Sequence, residues 1–232
     1  MNDPNLILAS GSPRRQELIR TFGLAVRIDP ADVDESVPER TPPDVTVEKL
    51  SLRKAVVVND RAPEHNRIVI GSDTIVVLDG RVMGKPRDAQ DAAGMLRALS
   101  GRTHQVYTGV ACMLAEAANM DRLLEEETMP PHQDMLRAGA SFRTVAFGQQ
   151  GRPIALVGCS VSNVTFRSMS DAEIAAYVRS GESLDKAGSY GVQGLGAIFI
   201  EKIEGDFYSV MGLPVNLLYR MLLELGVSPL RL

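Results

Sequence analysis

"RIVIGSDTIVVLDGRVMGKP", residues 67–86, decides the fold. Two apolar, β-branched runs, "RIVIG" and "TIVVL", flank Ser72 and Asp73. Asp79-Gly80 then supplies a hairpin-type turn into "RVMGKP". The block therefore predicts strands joined by a tight turn, with one carboxylate set among apolar neighbours. Such a carboxylate is rarely an ordinary surface group, because burying a charge without a partner is costly. An edge or turn Asp that accepts backbone N–H groups is the competing reading. A phosphatase-type D-x-D is excluded, since the next-but-one residue is Ile75.

Outward from this block, strands and helices are mixed. "NLILAS" (5–10) reads as a short buried strand and "SPRRQELIRTFGL" (12–24) as a helix. Ser12 suits its N-cap, Pro13 its first turn, and Gly23 its stop. "VRIDPADVDESVPERTPPD" begins strand-like and becomes an acidic, Pro-rich loop, and "DVTVEKLSLRKAVVVND" has helical spacing. Downstream, "DAQDAAGMLRALSG" is a helix capped by Asp88 and ended by Gly101, and "THQVYTGVACML" is a strand. Residues 115–151 lack a sustained period and read as a long insertion, partly helical or disordered, between two strands. "RPIALVGCSVSNVTFRSM" resumes as a long strand, and "SDAEIAAYVRSG" is a helix with a Ser170–Glu173 capping box. "KAGSYGVQGLGAIFIEKIEGDFYSVMGLP" reads as a Gly-rich loop and then a hairpin turning at Glu204-Gly205, before the closing helix "VNLLYRMLLELG". The alternation predicts an α/β or α+β fold around a mixed sheet.

Bulk properties narrow the function. The 232 residues suffice for one substantial core or for two lobes around a cleft. Hydrophobic residues at 44% and charged residues at 23% are ordinary for a soluble globular chain. A net charge of −4 argues against a nucleic-acid polymer as partner, though not against a mononucleotide. Cys112 and Cys159 lie in apolar runs and read as small buried hydrophobes, too few for a disulfide scaffold. The opening residues show neither a basic n-region nor a long h-region, and no apolar run approaches membrane-spanning length. A cytoplasmic protein with no membrane partner is expected.

Five constellations carry candidate chemistry. Ser10, Gly11, Ser12 and the pair Arg14-Arg15 sit at a strand-to-helix turn. A helix start is already the positive end of the dipole, so two arginines there are mildly unfavourable unless an anion joins them. A surface helix whose arginines meet nearby acids is the rival reading. Asp73 is the second feature. The acidic group Asp32, Asp34 and Glu35 offers oxygen ligands for a hard cation. Lys54 and Lys85 add cations, the latter fixed between Gly84 and Pro86. The small residues of "KAGSYGVQGLG" permit close backbone approach, and Gln193 could read a base edge. His65, His104 and His132 show no ligand spacing and read as surface or structural.

The strings "LASGSPRRQELI", "DVDES", "LRKA", "GSDTIVVLDGRVMGKPRDAQDAAGMLRALSGRTHQVYTGV", "VTFRSMSDAEIAAYV" and "LDKAGSYGVQGLGAIFIEKIEGDFYSVMGLPV" resemble the Maf family of nucleoside triphosphate pyrophosphatases. They cover nearly the whole chain outside 115–151. The resemblance implies one Maf-like domain over residues 1–232, with the Maf/inosine-triphosphatase-like α/β fold: a bent mixed sheet, flanking helices and two lobes around a central cleft. It implies hydrolysis of a nucleoside triphosphate to the monophosphate and pyrophosphate, with Mg²⁺ or Mn²⁺. It places the proton acceptor on Asp73 and substrate specificity on Arg14, Thr74 and Gln193. That Arg/Thr/Gln set resembles the branch acting on dTTP, UTP and modified pyrimidine nucleotides. The branch acting on 7-methyl-GTP differs at the first two positions. Phosphate binding is expected from Ser10, Arg15, Lys54 and Lys85, metal binding from Glu35 and Asp73, and a homodimer as the assembly. The alternatives are a nucleotide-binding regulator of septum formation and a purine, ITP-type house-cleaning pyrophosphatase.

Overall fold

The two apolar runs around Asp73 fuse into a single strand. The computed structural model describes residues 5–38, 40–62, 65–117 and 139–230. In chain order the first elements are β1 (Asn5–Leu8), α1 (Pro13–Arg20), β2 (Val26–Ile28), α2 (Pro43–Arg61), β3 (Arg67–Leu78) and β4 (Arg81–Met83). They are followed by α3 (Ala89–Leu99), β5 (Thr103–Leu114), β6 (Gly139–Phe147), β7 (Pro153–Phe166) and α4 (Asp171–Arg179). The chain continues through β8 (Ile200–Glu204), α5 (Phe207–Met211) and α6 (Val215–Glu224). Asp79 and Gly80 both take positive φ, 51° and 75°, which is the backbone a two-residue turn between β3 and β4 requires.

Eight strands form one sheet in the order β2-β1-β3-β5-β7-β6, with β4 beside β3 and β8 beside β7. β1 runs parallel to both β2 and β3, whereas β3, β5, β7 and β6 are successively antiparallel. The expected α/β fold with a mixed sheet is thus the observed one. Strands buried on both faces lose the polar alternation and read as continuous apolar runs. Side-chain parity then assigns the faces. Ile7, Val69, Ala111 and Val157 pack with Leu52, Ala55 and Val56 of α2. Leu6, Leu8, Ile68, Ile70 and Cys112 pack on the other face with Leu18 and Ile19 of α1 and with α6. Further along β3, Val76 and Leu78 belong to a separate cluster with α3, α4 and Phe166. Ser72, Asp73 and Thr74 lie where the first two clusters give way to the third.

Two glycines fix α2 on the sheet. A Cβ on Gly71 would lie 2.0 Å from the Ser51 carbonyl oxygen, and one on Gly109 would lie 2.2 Å from that of Val47. The helix backbone therefore rests directly on β3 and β5, one turn from Lys54.

Two sequence expectations need correction. Residues 115–151 are not uniformly helical or disordered: 139–147 form β6, which pairs antiparallel with β7 from Gly139↔Val161 to Phe147↔Pro153. Residues 118–138 of that segment, with His132, lie outside the described residues. Glu204-Gly205 does not turn a hairpin either. β8 pairs back onto β7, and Asp206 then caps α5 by accepting from the Tyr208 N–H at 2.8 Å. The Asp206 carboxylate competes for that segment by offering a helix start, which a Glu-Gly turn signal does not reveal. Both cysteines are buried and free, as expected.

Candidate active site

The loop from β1 into α1 is drawn tight by its own polar atoms. The Ala9 N–H donates to Ile70 O at 2.9 Å, and the Ser12 N–H to Ser10 Oγ at 3.3 Å. Ser12 occupies the N-cap position and Pro13 the first turn, although the Ser12 side chain makes no capping bond. The first turn of α1 holds no acidic residue. Arg15 folds back under the loop. Its guanidinium donates to Gly212 O at 2.7 Å, Ser10 Oγ at 3.2 Å and Thr74 Oγ1 at 3.0 Å. All three acceptors are neutral, so the charge has no direct carboxylate partner. Burial pushes the Arg15 pKa down from its ordinary value, an effect opposed by Asp73. Arg15 thus makes no ion pair, and the surface-helix reading fails for it.

Across the loop, Lys54 of α2 reaches Asp73 at the middle of β3. Lys54 Nζ lies 2.6 Å from Asp73 Oδ1 and 2.8 Å from Glu35 Oε1. The Lys54 and Asp73 side chains are about 10% exposed, while that of Glu35 is 58% exposed. One ammonium therefore bridges a carboxylate on the sheet and a carboxylate on a loop. Glu35 is held below the usual carboxylate range, first by the hydrogen bond from Lys54 and then, against some desolvation, by the positive field of Lys54, Lys85 and Arg15. Its neighbours shape the loop rather than the site. Asp34 accepts from the Ser36 N–H at 2.9 Å, and Arg53 donates to the carbonyls of Asp34 and Ser36. Arg53 and Lys54, adjacent on α2, therefore hold the backbone and the side chain of the same turn.

These groups line one cleft of about 1100 Å³, room for a ligand much larger than a phosphate ion. Ser10, Arg14, Arg15, Glu35, Lys54, Asp73, Thr74 and Lys85 all face it, so the structure brings eight sequence-predicted positions together. Gln193 is different: it sits half-buried one residue past Val192, and it is not among the lining residues. Asp32 does not line the cleft either. Thr74 faces the cleft, but its hydroxyl is tied to Arg15 and to Thr108 Oγ1 at 3.0 Å. Among the described residues, Arg14, Arg40 and Lys85 of the cleft make no ion pair, which leaves three cations open to a ligand.

The far wall is the Gly-rich loop. The Gly188 N–H donates to Gly84 O at 3.1 Å, joining that loop to the turn that carries Lys85. Tyr190 packs edge-on to Phe166, with centroids 4.7 Å apart, and its hydroxyl lies 2.7 Å from His104 Nε2. His104 is buried and structural, as expected. Burial lowers its pKa to about 4. Sequence reasoning missed Asp185, Lys186 and Tyr190 as cleft residues. The available signal was an acid–base dipeptide directly before the Gly-rich run.

Glu35 and Asp73 form a two-carboxylate donor set. Mg²⁺ takes one or two carboxylates and completes its shell with water and substrate phosphates. Lys54 Nζ lies within 2.8 Å of both carboxylates, so Glu35 and Asp73 are the two oxygen donors that would hold a divalent ion.

The chain is similar to known proteins along most of its length. The family described as "Maf-like protein" matches residues 5–135 and 135–225. A dTTP/UTP pyrophosphatase of Bacillus cereus (strain AH820) is 39% identical, over 96% of this chain and 96% of that protein. A dTTP/UTP pyrophosphatase of Thermotoga maritima is 38% identical, over 95% of this chain and 89% of the other. Among solved structures, a HAM1 protein from Coxiella burnetii aligns at 18% identity with a TM-score of 0.32, over 47% of this chain and 63% of that one.

Proposed function

The chain belongs to the Maf family, and from that premise we propose that it hydrolyses dTTP, UTP and related pyrimidine nucleotides to the monophosphate and pyrophosphate. It is a nucleoside triphosphate pyrophosphatase, a hydrolase of acid anhydrides. The observation that carries the residue-level reading is the Lys54 ammonium bridging Glu35 and Asp73 in a cleft where, among the described residues, Arg14, Arg40 and Lys85 make no ion pair.

The proposed mechanism divides the cleft by charge. Ser10, Arg15, Lys85 and the free N–H groups at the start of α1 take the triphosphate chain. Arg15 is preset for this by its bonds to Ser10, Thr74 and Gly212, so little ordering remains when substrate enters. Asp73 accepts the proton of the water that attacks the α-phosphorus, and pyrophosphate leaves. Lys54 holds the Asp73 carboxylate toward the cleft and keeps Glu35 beside it. When bound, Mg²⁺ or Mn²⁺ on Glu35 and Asp73 supplies Lewis-acid charge to the phosphate oxygens. Arg14 and Gln193 serve the base end, while Thr74 orients Arg15 toward the triphosphate chain. We further propose that the protein works in the cytoplasm, possesses no membrane or nucleic-acid partner, and functions as a homodimer. No helix among the described residues is long and apolar enough to cross a membrane.

The test is a nucleotide panel with Mg²⁺, scoring pyrophosphate against orthophosphate. Pyrophosphate from dTTP and UTP is the expected result. No release from any nucleotide would leave only a binding role, and preference for ITP would move the substrate class to purines.

A further inference from the structure

Asp185, Lys186 and Arg14 form a second charged cluster on the cleft wall, apart from the Lys54 centre. Lys186 Nζ donates to Asp185 Oδ1 at 2.5 Å and to Glu182 O at 2.6 Å. Gly191 lets the other cation approach. A Cβ there would lie 3.1 Å from Lys186 Cε and 3.3 Å from Arg14 Nη1, so both side chains cover one bare stretch of backbone. The loop is anchored beneath them, because the Gly191 N–H donates to Tyr177 Oη at 3.2 Å. The hydrogen bond from Lys186 comes first in holding Asp185 below the usual carboxylate range, and Arg14 adds to it through its charge.

The acids lining the cleft among the described residues are Glu35, Asp73 and Asp185. The first two share Lys54. Asp185 is therefore the pure acceptor that remains for the nucleoside half of a ligand. A carboxylate accepts about four hydrogen bonds, so the one from Lys186 leaves capacity. The cluster supplies two cationic donors, Arg14 and Lys186, and one carboxylate acceptor, Asp185. The O4, N3–H and O2 edge of uracil or thymine presents acceptor, donor, acceptor. Cytosine presents a donor at N4 and an acceptor at N3, and would set its N3 lone pair against the carboxylate. We propose that Asp185 is a specificity-determining residue that accepts the N3–H of uracil or thymine between the cations of Arg14 and Lys186, and so excludes cytosine. This rests on the pyrimidine pyrophosphatase reading above.

The experiment measures kcat/KM for pyrophosphate release from UTP, CTP and 3-methyl-UTP with the wild type and Asp185→Asn. The asparagine can turn an N–H₂ toward N3 and so serves cytosine. Wild type is expected to prefer UTP to CTP, and to use 3-methyl-UTP, which lacks the N3–H, at least about tenfold less well than UTP. Asp185→Asn is expected to shrink the UTP/CTP ratio about ten- to a hundredfold, with thermal melting confirming that it folds. Equal losses on UTP and CTP, or an unchanged ratio, would show that Asp185 only anchors Lys186, and would overturn the proposal while leaving the pyrophosphatase reading intact. If the variant does not fold, equal use of UTP and 3-methyl-UTP by the wild type overturns it alone. Wild type that releases no pyrophosphate from any pyrimidine triphosphate overturns both readings.

Discussion

At the residue scale, Asp73 and Lys54 have separable duties. Asp73→Asn keeps an oxygen for Lys54 but cannot take a proton. A general base contributes typically ~10²–10⁴-fold, so kcat for pyrophosphate release should fall by about that factor with little change in melting temperature. Lys54→Met leaves two carboxylates facing each other, one of them largely buried. Glu35 then loses the hydrogen bond and the charge that hold its pKa low, so its pKa should rise and the acid limb of the kcat/KM profile should move upward. A profile that stays in place would mean that Lys54 does not hold the pair. The sequence made the cations legible for a simple reason: two arginines at a helix start with no acid in that turn are unfavourable without an anion. It could not show that Lys54 spends its charge on Asp73 and Glu35, since 19 residues separate Lys54 from either partner. Nor could it show that the Thr74 hydroxyl is taken up by Arg15 and Thr108. Pairings of that kind arise only when separate elements meet.

At the scale of elements, the contact of α2 with the sheet sets the Lys54–Asp73 distance. Gly71→Ala would force a methyl to within 2.0 Å of the Ser51 carbonyl, and backbone cannot yield as a flexible side chain does. The helix must shift outward and carry Lys54 with it. A destabilisation of about 2–4 kcal/mol is expected in denaturant unfolding, together with a loss of kcat larger than the loss of folded protein explains. Elements with strong local signals were legible: the Ser170–Glu173 capping box and the Asp88 cap both form. β6 was not legible. Its residues "GASFRTVAF" alternate poorly, and the strand exists because β7 offers an edge and Glu48 of α2 accepts two bonds from Arg143, at 3.1 and 2.7 Å. Tertiary pairing overrode a weak local preference there.

At the scale of the whole molecule, stability should depend on pH through His104. Its folded pKa of about 4 lies below the unfolded value of 6.5, because burial disfavours the imidazolium. Between these limits the unfolded chain binds more protons, so stability falls as pH drops from about 6.5 to about 4, by roughly 3 kcal/mol in all. Carboxylates held low, such as Glu35, and Glu173 at about 2, lose their contribution only at more acid pH. The slope between about 5.5 and 6.5 therefore belongs chiefly to the histidine. Urea unfolding at several pH values should show the slope there in the wild type and a flatter curve in His104→Gln; equal slopes would assign the effect elsewhere. One backbone bond reaches across the same region. The Gly188 amide donates to Gly84 O, so the turn bearing Lys85 and the Gly-rich wall behind Tyr190 are fastened to each other. The protium–deuterium exchange rate of that single amide then becomes a clock for how often those two segments part, and a bound nucleotide that touches both should slow it.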